Sequence, residues 1–245
     1  MHYLNRLTGG GMRKILIILA LFTGLNACTD TAPRGGGDIL VLGDSIMAWN
    51  GNAAIPDVIS SATGRSVISR AVPGAQFDNG STIASAVGFD IQQQFPGGRW
   101  NWVVVNGGAN DLSADCGCGA CGASVNALIG PDSQSGSIPA FLSKLRAQTG
   151  AQVMWMGYYA GSGSGSFAGC RDDLVEIESR IASFAASRPG IHFVDSEDVI
   201  DRGDRGLFAG DNVHPSARGS ARIGSYLASE ITARESRSQN RAGGL

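Results

Sequence analysis

Five short apolar runs, at residues 39–42, 67–71, 102–105, 152–156 and 191–194, punctuate the sequence. Between and after them lie longer stretches with helical spacing, at 53–62, 83–93, 138–148, 172–187 and 216–232. Near-continuous apolar runs, as opposed to alternating ones, are what strands buried on both faces require. Strand and helix in alternation predict an α/β fold: a five-stranded parallel sheet with helices on both sides, a three-layer α/β/α sandwich. Local signals agree. Asp172, Asp173 and Glu176 place negative charge in the first turn of the fourth helical stretch, and Gly190 follows its end. With 245 residues, 43% of them hydrophobic, the chain can bury one sizeable core, and one domain is expected. The 36 glycines, about double the usual ~7% share, fit many tight turns around that core.

In open parallel sheets, ligands bind beyond the carboxyl ends of the strands. The segments leaving the five runs are therefore the places to look for chemistry. They are Gly43-Asp44-Ser45, Val72-Pro73-Gly74, Asn106-Gly107-Gly108-Ala109-Asn110-Asp111, the glycine-serine loop 159–169, and the segment ending in Asp211-Asn212-Val213-His214-Pro215. All five are expected on one rim.

A serine hydroxyl needs a base to become a nucleophile, and histidine suits that role near neutrality. The chain has three histidines, His2, His192 and His214. His2 lies near the start and His192 within an apolar run, which leaves His214 as the base for Ser45. Asp211, three residues earlier, is placed to orient His214; its alternative role is a cap for the helix beginning after Pro215. Donors for a developing oxyanion are available in the backbone amides of Ser45 and Gly74 and the side-chain amide of Asn110. Asp44 and Asp111 read as turn-holding residues, Trp49 as core, and the Tyr158-Tyr159 pair with the 162–166 loop as a mobile substrate lip.

Four blocks in this order resemble those of the SGNH or GDSL hydrolases over residues 38–232. Gly43-Asp44-Ser45 matches the nucleophile block and Gly74 the glycine block. Gly108-Ala109-Asn110-Asp111 matches the Gly-x-Asn-Asp block and Asp211-Asn212-Val213-His214 the Asp-x-x-His block. The resemblance implies a flavodoxin-like three-layer fold, a Ser45, His214 and Asp211 triad, an oxyanion hole from Ser45, Gly74 and Asn110, and no metal or cofactor. Ile46 stands where the family's short name has leucine. A Gly-x-Ser-x-Gly elbow does not surround Ser45, unlike ordinary lipase-type α/β-hydrolases. The expected activity is a serine esterase of small-molecule, lipid or glycan esters, with a carbohydrate O-acetylesterase as the alternative. A ligand-binding protein that keeps the fold without catalysis is the rival from another class.

Arg13-Lys14 and the apolar stretch 15–22 are too short to span a membrane and read as an export signal, residues 1–27. It would be of ordinary length starting at Met12. Leu25-Asn26-Ala27-Cys28 resembles a bacterial lipobox, which makes Cys28 a lipidation site and the only expected membrane contact; cleavage after Ala27 in a simple secretory signal is the alternative. The protein is then expected in the cell envelope, in the periplasm or lipid-anchored to the outer membrane. Residues 28–37 read as a linker, 38–234 as the catalytic domain and 235–245 as a frayed tail.

Four cysteines follow, Cys116, Cys118, Cys121 and Cys170, an even number that suits two disulfides in an oxidising compartment. Of the three pairings, Cys116 with Cys118 has the poorest geometry. A four-cysteine zinc site is the alternative. Beyond residue 27 the chain carries 16 basic and 21 acidic residues, a net charge of −5, with Lys144 its one lysine. A nucleic-acid partner is not expected at that charge.

Overall fold

The structure, a computed structural model, describes residues 38–159, 161 and 165–243. The export signal, Cys28 and the whole linker lie outside the described residues, as do positions 162–164 of the expected substrate lip. Five strands form one sheet: β1 (Ile39–Leu42), β2 (Val67–Ser69), β3 (Trp102–Val105), β4 (Gln152–Gly157) and β5 (Ile191–Asp195). Their order is β2-β1-β3-β4-β5, and every neighbouring pair is parallel. The direction of winding reverses between β1 and β3, the topological switch point where such sheets bind ligands.

Alternation along the strands sorts the core into two layers. Leu40, Leu42, Val103, Val105, Val153 and Trp155 face one side, while Ile39, Val41, Trp102, Val104, Met154 and Met156 face the other. The first set is covered by α5 (Gly122–Leu128), α6 (Ser137–Thr149) and α7 (Arg171–Ala186) through Val125, Phe141, Leu142, Ile177, Ile181 and Phe184. The second is covered by α2 (Ile55–Thr63) and α8 (Ala217–Gly243) through Ile55, Ile59, Ile223, Leu227 and Ile231. Full burial of a side chain of this size contributes roughly 1.5–3 kcal/mol, so these two apolar layers dominate the stability of the domain. Two short helices follow strand ends, α1 (Ser45–Ala48) and α4 (Ala109–Cys116), and a third, α3 (Thr82–Ala86), lies in the connection from β2 to β3.

The three-layer α/β/α reading of the sequence holds, and its departures have physical causes. The expected helix over 83–93 is interrupted: Gly88 takes φ +85°, and the chain resumes as a 3-10 turn at Ile91–Gln94. The glycine-rich stretch that holds Cys116, Cys118 and Cys121 contains the end of α4 and the start of α5. Disulfide Cys116–Cys121 bridges the end of α4 and the start of α5, and Cys118–Cys170 ties the stretch to the start of α7. All four thiols are consumed in these bonds, so the zinc alternative is not realised.

Residues 235–243, part of the expected tail, are helical. Helix α8 continues through 235–243, because Glu235 accepts hydrogen bonds from Trp102 Nε1 at 2.8 Å and Arg65 at 2.5 Å. Both partners lie far away in sequence and pin the helix beyond the point where its apolar stripe ends. Among the described residues no helix is long and apolar enough to cross a membrane.

Candidate active site

Ser45 is the first residue of α1, directly after the turn that leaves β1. Gly43 makes that turn possible: a Cβ there would collide with the side-chain oxygen of Asn106, which follows β3. Gln94 clamps the same turn, accepting from the Gly43 N–H at 2.8 Å and donating to the Gly43 carbonyl at 2.9 Å. Asp44 caps α1 by accepting from the Ile46 N–H at 2.9 Å. As the first helical amide, the Ser45 N–H has no carbonyl one turn back to donate to.

His214 arrives from the loop before α8. Its Nε2 lies 2.8 Å from Ser45 Oγ and its Nδ1 2.6 Å from Asp211 Oδ2. Asp211 also accepts, through Oδ1, from the backbone N–H groups of Val213 and His214, both at 2.9 Å. It therefore folds the loop and orients the ring at once. Asp211 is not the cap of α8; Ser216 Oγ accepts from the Gly219 N–H at 3.2 Å there instead. Burial is the largest single influence on Asp211 and pushes its carboxyl up, but the bonds from His214 and the two backbone amides bring it below its ordinary value. It stays ionised, keeps the Nδ1 proton, and leaves Nε2 free to accept from the Ser45 hydroxyl. The loop itself is anchored by Tyr159, whose hydroxyl donates to the Val213 carbonyl at 2.8 Å, and by Asn50, which donates to the Pro215 carbonyl at 2.9 Å.

The three candidate oxyanion donors come from the ends of β1, β2 and β3. Asn110 Nδ2 donates one hydrogen to the Ala75 carbonyl at 2.8 Å, and its amide retains a second. Gly74, beside Ala75, has φ +82°, a conformation glycine adopts without penalty. Asp111 secures the same loop by accepting from the N–H groups of Phe77 at 2.7 Å and Asp78 at 3.0 Å. Its role is thus to tie the loop after β2 to α4, a longer-range task than holding its own turn. Burial pushes Asp111 up to about 6, against the hydrogen bonds that pull it down.

Two features of the site were not legible as such. Trp49, read as core, is half-buried and stacks on His214 with ring centroids 3.7 Å apart and planes 8° from parallel. Behind Ser45, buried Asp44 accepts from Asn106 Nδ2 at 2.9 Å and from the Tyr158 hydroxyl, which in turn accepts from the Ala109 N–H at 3.4 Å. Burial raises the Asp44 carboxyl above its ordinary value despite these donors. The sequence signal for Asn106 was its place as the first residue of the segment leaving β3, although no role was read for its side chain.

Residues 41–222 match the GDSL-like lipase/acylhydrolase family. The chain belongs to that family. It is an SGNH-type ester hydrolase, and solved structures of low identity share its fold. A protein described as an SGNH hydrolase from Slackia heliotrinireducens is 22% identical, with a TM-score of 0.52 over 79% of this chain and 97% of that one. An M. smegmatis aryl esterase is 13% identical, with a TM-score of 0.58 over 80% and 98% of the two chains. A Corynascus thermopiles carbohydrate esterase family 2 enzyme with a carbohydrate-binding domain is 18% identical, with a TM-score of 0.56 over 83% and 68%. No curated protein matches the chain in sequence. Membership in the family accounts for the order of the four motif blocks.

Proposed function

We propose that the protein is an exported serine esterase that cleaves carboxylic esters through an acyl-serine intermediate. The observation that carries this reading is the continuous chain of contacts from Ser45 Oγ through His214 to Asp211, at 2.8 and 2.6 Å. Ser45 Oγ forms a bond to the ester carbon while its proton passes to His214 Nε2. The carbonyl oxygen becomes an oxyanion, received by the Ser45 and Gly74 amides and the free hydrogen of Asn110. Collapse breaks the bond to the alcohol oxygen, which takes the proton from His214. Water then gives a proton to His214 as its oxygen attacks the acyl carbon. The acid leaves, and the returning proton restores Ser45. Asp211 stabilises the imidazolium at both stages without taking its proton.

The export signal and the Cys28 lipobox support an envelope location, with membrane contact through a lipid on Cys28. Two disulfides suit the same oxidising compartment. Intact-mass analysis of the protein from a bacterial membrane fraction, before and after a Cys28→Ser substitution, tests the anchor.

Family 2 carbohydrate esterases among the solved structures of this fold support O-acetylated glycan as a second substrate class. Ser45→Ala should abolish release of p-nitrophenol from a short acyl ester while the thermal unfolding midpoint stays within a few degrees. Full activity in that variant would remove Ser45 from the mechanism and favour a non-catalytic reading of the triad. Parallel assays on acetylated glycans and lysophospholipids decide between substrate classes.

A further inference from the structure

A cavity of ≈ 70 Å³ opens beside Ser45, between the end of β4 and the first turns of α7. Its wall includes Ser45, Asn110, Phe167, Leu174, Val175 and Glu178. His214 is not among the lining residues. That asymmetry orients an ester. The leaving oxygen must lie at His214 Nε2 to receive its proton, and the oxyanion must lie at Asn110. The remaining substituent of the carbonyl carbon, the acyl chain, is then directed into the cavity. A space of this size holds on the order of five water-sized groups.

Glu178 is the chemically distinctive part of this wall. It is 8% exposed. One of its oxygens accepts from the Tyr158 N–H at 2.5 Å, and the other has no hydrogen-bond partner among the described residues. Asp44, Arg171, Glu197 and Arg202 also reach the wall, but Glu178 is a buried carboxyl with a free oxygen, which is unfavourable unless something polar meets it. We propose that this cavity is the acyl pocket and that Glu178 is a specificity-determining residue, reading a hydroxyl or similar uncharged hydrogen-bonding group on a short acyl chain. The proposal rests on the esterase reading above and adds the substrate class.

The electrostatics agree with an uncharged ligand. Burial, the dominant influence, pushes Glu178 up to about 8, with Asp195 and Glu197 raising it further and the Tyr158 N–H and Arg171 lowering it. At neutral pH its carboxyl is protonated, able to donate and to accept. At Glu178 itself a cationic acyl group would find no full negative charge, and a purely alkyl one would leave the carboxyl unmet.

The test is a comparison of p-nitrophenyl 3-hydroxybutyrate, butyrate and octanoate with the wild-type protein and the variants Glu178→Gln and Glu178→Leu. The wild type should favour the hydroxybutyrate over butyrate by roughly 10-fold in kcat/KM, mainly through KM, the size of one well-made hydrogen bond. Octanoate should be the poorest of the three. Glu178→Gln, which keeps an acceptor and a donor, should retain the preference, and Glu178→Leu should abolish it. Equal rates on the two four-carbon esters in the wild type, or octanoate as the best substrate, would overturn the proposal even if the leucine variant fails to fold. Hydrolysis of all three without hydroxyl preference defeats this inference alone. Hydrolysis of none defeats it together with the esterase reading.

Discussion

The Trp49 indole and the His214 imidazole lie face to face, 3.7 Å apart and 8° from parallel. Trp49 follows α1, so the helix that presents Ser45 also brings a ring to the base that activates it. An aromatic face favours a cation held against it by about 0.5–2 kcal/mol, depending on desolvation. The imidazolium formed as Ser45 loses its proton receives that benefit, and the ring is kept from rotating off Ser45.

Trp49→Ala should therefore lower kcat for a short p-nitrophenyl ester by roughly 10-fold, in keeping with the cation–π range, while Trp49→Phe keeps most of the rate. Steady-state kinetics of the two variants check this. An alanine variant with wild-type kcat would reduce the stack to packing.

The strands and the Ser45–His214 pair were legible because burial on both sheet faces leaves continuous apolar runs, and because only one histidine remained for the site. Trp49 was not: a tryptophan beside a strand end gives no sign of whether it points inward or along the rim. The break in 83–93 depends on the positive φ of Gly88, and glycine occurs in this chain too often to mark one break. The end of α4 and the start of α5 lie in a glycine-rich stretch that two disulfides cross-link, and neither boundary has a sequence signal of its own. Glu178 lies in the helical stretch 172–187, where nothing in the sequence sets it apart. Only the rotation of α7 against β4 turns it inward, and no spacing rule states that.

Asn110 has one amide hydrogen committed to Ala75 and one available. Asn110→Ala should reduce kcat by about 10²–10³, the usual cost of losing one oxyanion donor, with KM changed little. Because the Ala75 bond is lost too, Asn110→Asp is the companion variant: it matches the side chain in size but removes the donors, and it should be as slow. A fast aspartate variant would contradict the donor role.

The Cys118–Cys170 disulfide closes a loop across 52 residues of sequence and ties the cysteine stretch to the start of α7. A loop of that length corresponds to about 4 kcal/mol of chain entropy. Replacing both cysteines by serine should lower the unfolding free energy by roughly 2–4 kcal/mol. Removing the short Cys116–Cys121 bridge should cost less. Denaturant unfolding of the two double variants, with non-reducing peptide mapping of the wild type, checks both the order and the pairing.

Stability should fall on both sides of a broad optimum, for identifiable reasons. Glu178 is held up to about 8 against an ordinary 4.5, so the folded protein keeps a proton that the unfolded chain has lost. That contribution is fully present below about 4.5 and disappears as pH rises through 8, at up to roughly 1.4 kcal/mol per pH unit. His192 is pushed down to about 4 from 6.5, first by burial and then by Arg234, Arg146 and Arg237, so the unfolded chain protonates first as pH falls from 6.5 to 4. Glu178→Gln should flatten the alkaline decline of the melting temperature and His192→Gln the acid one. Unchanged slopes would place the titrating groups elsewhere.

The whole mechanism turns on Ser45 being the activated nucleophile. Incubation with a fluorophosphonate, followed by intact-mass and peptide mass spectrometry, tests it most directly. One adduct per chain is expected, located on Ser45, abolished in Ser45→Ala and strongly slowed in His214→Ala. A folded wild-type protein that takes up no label, or one labelled at another serine, would contradict it.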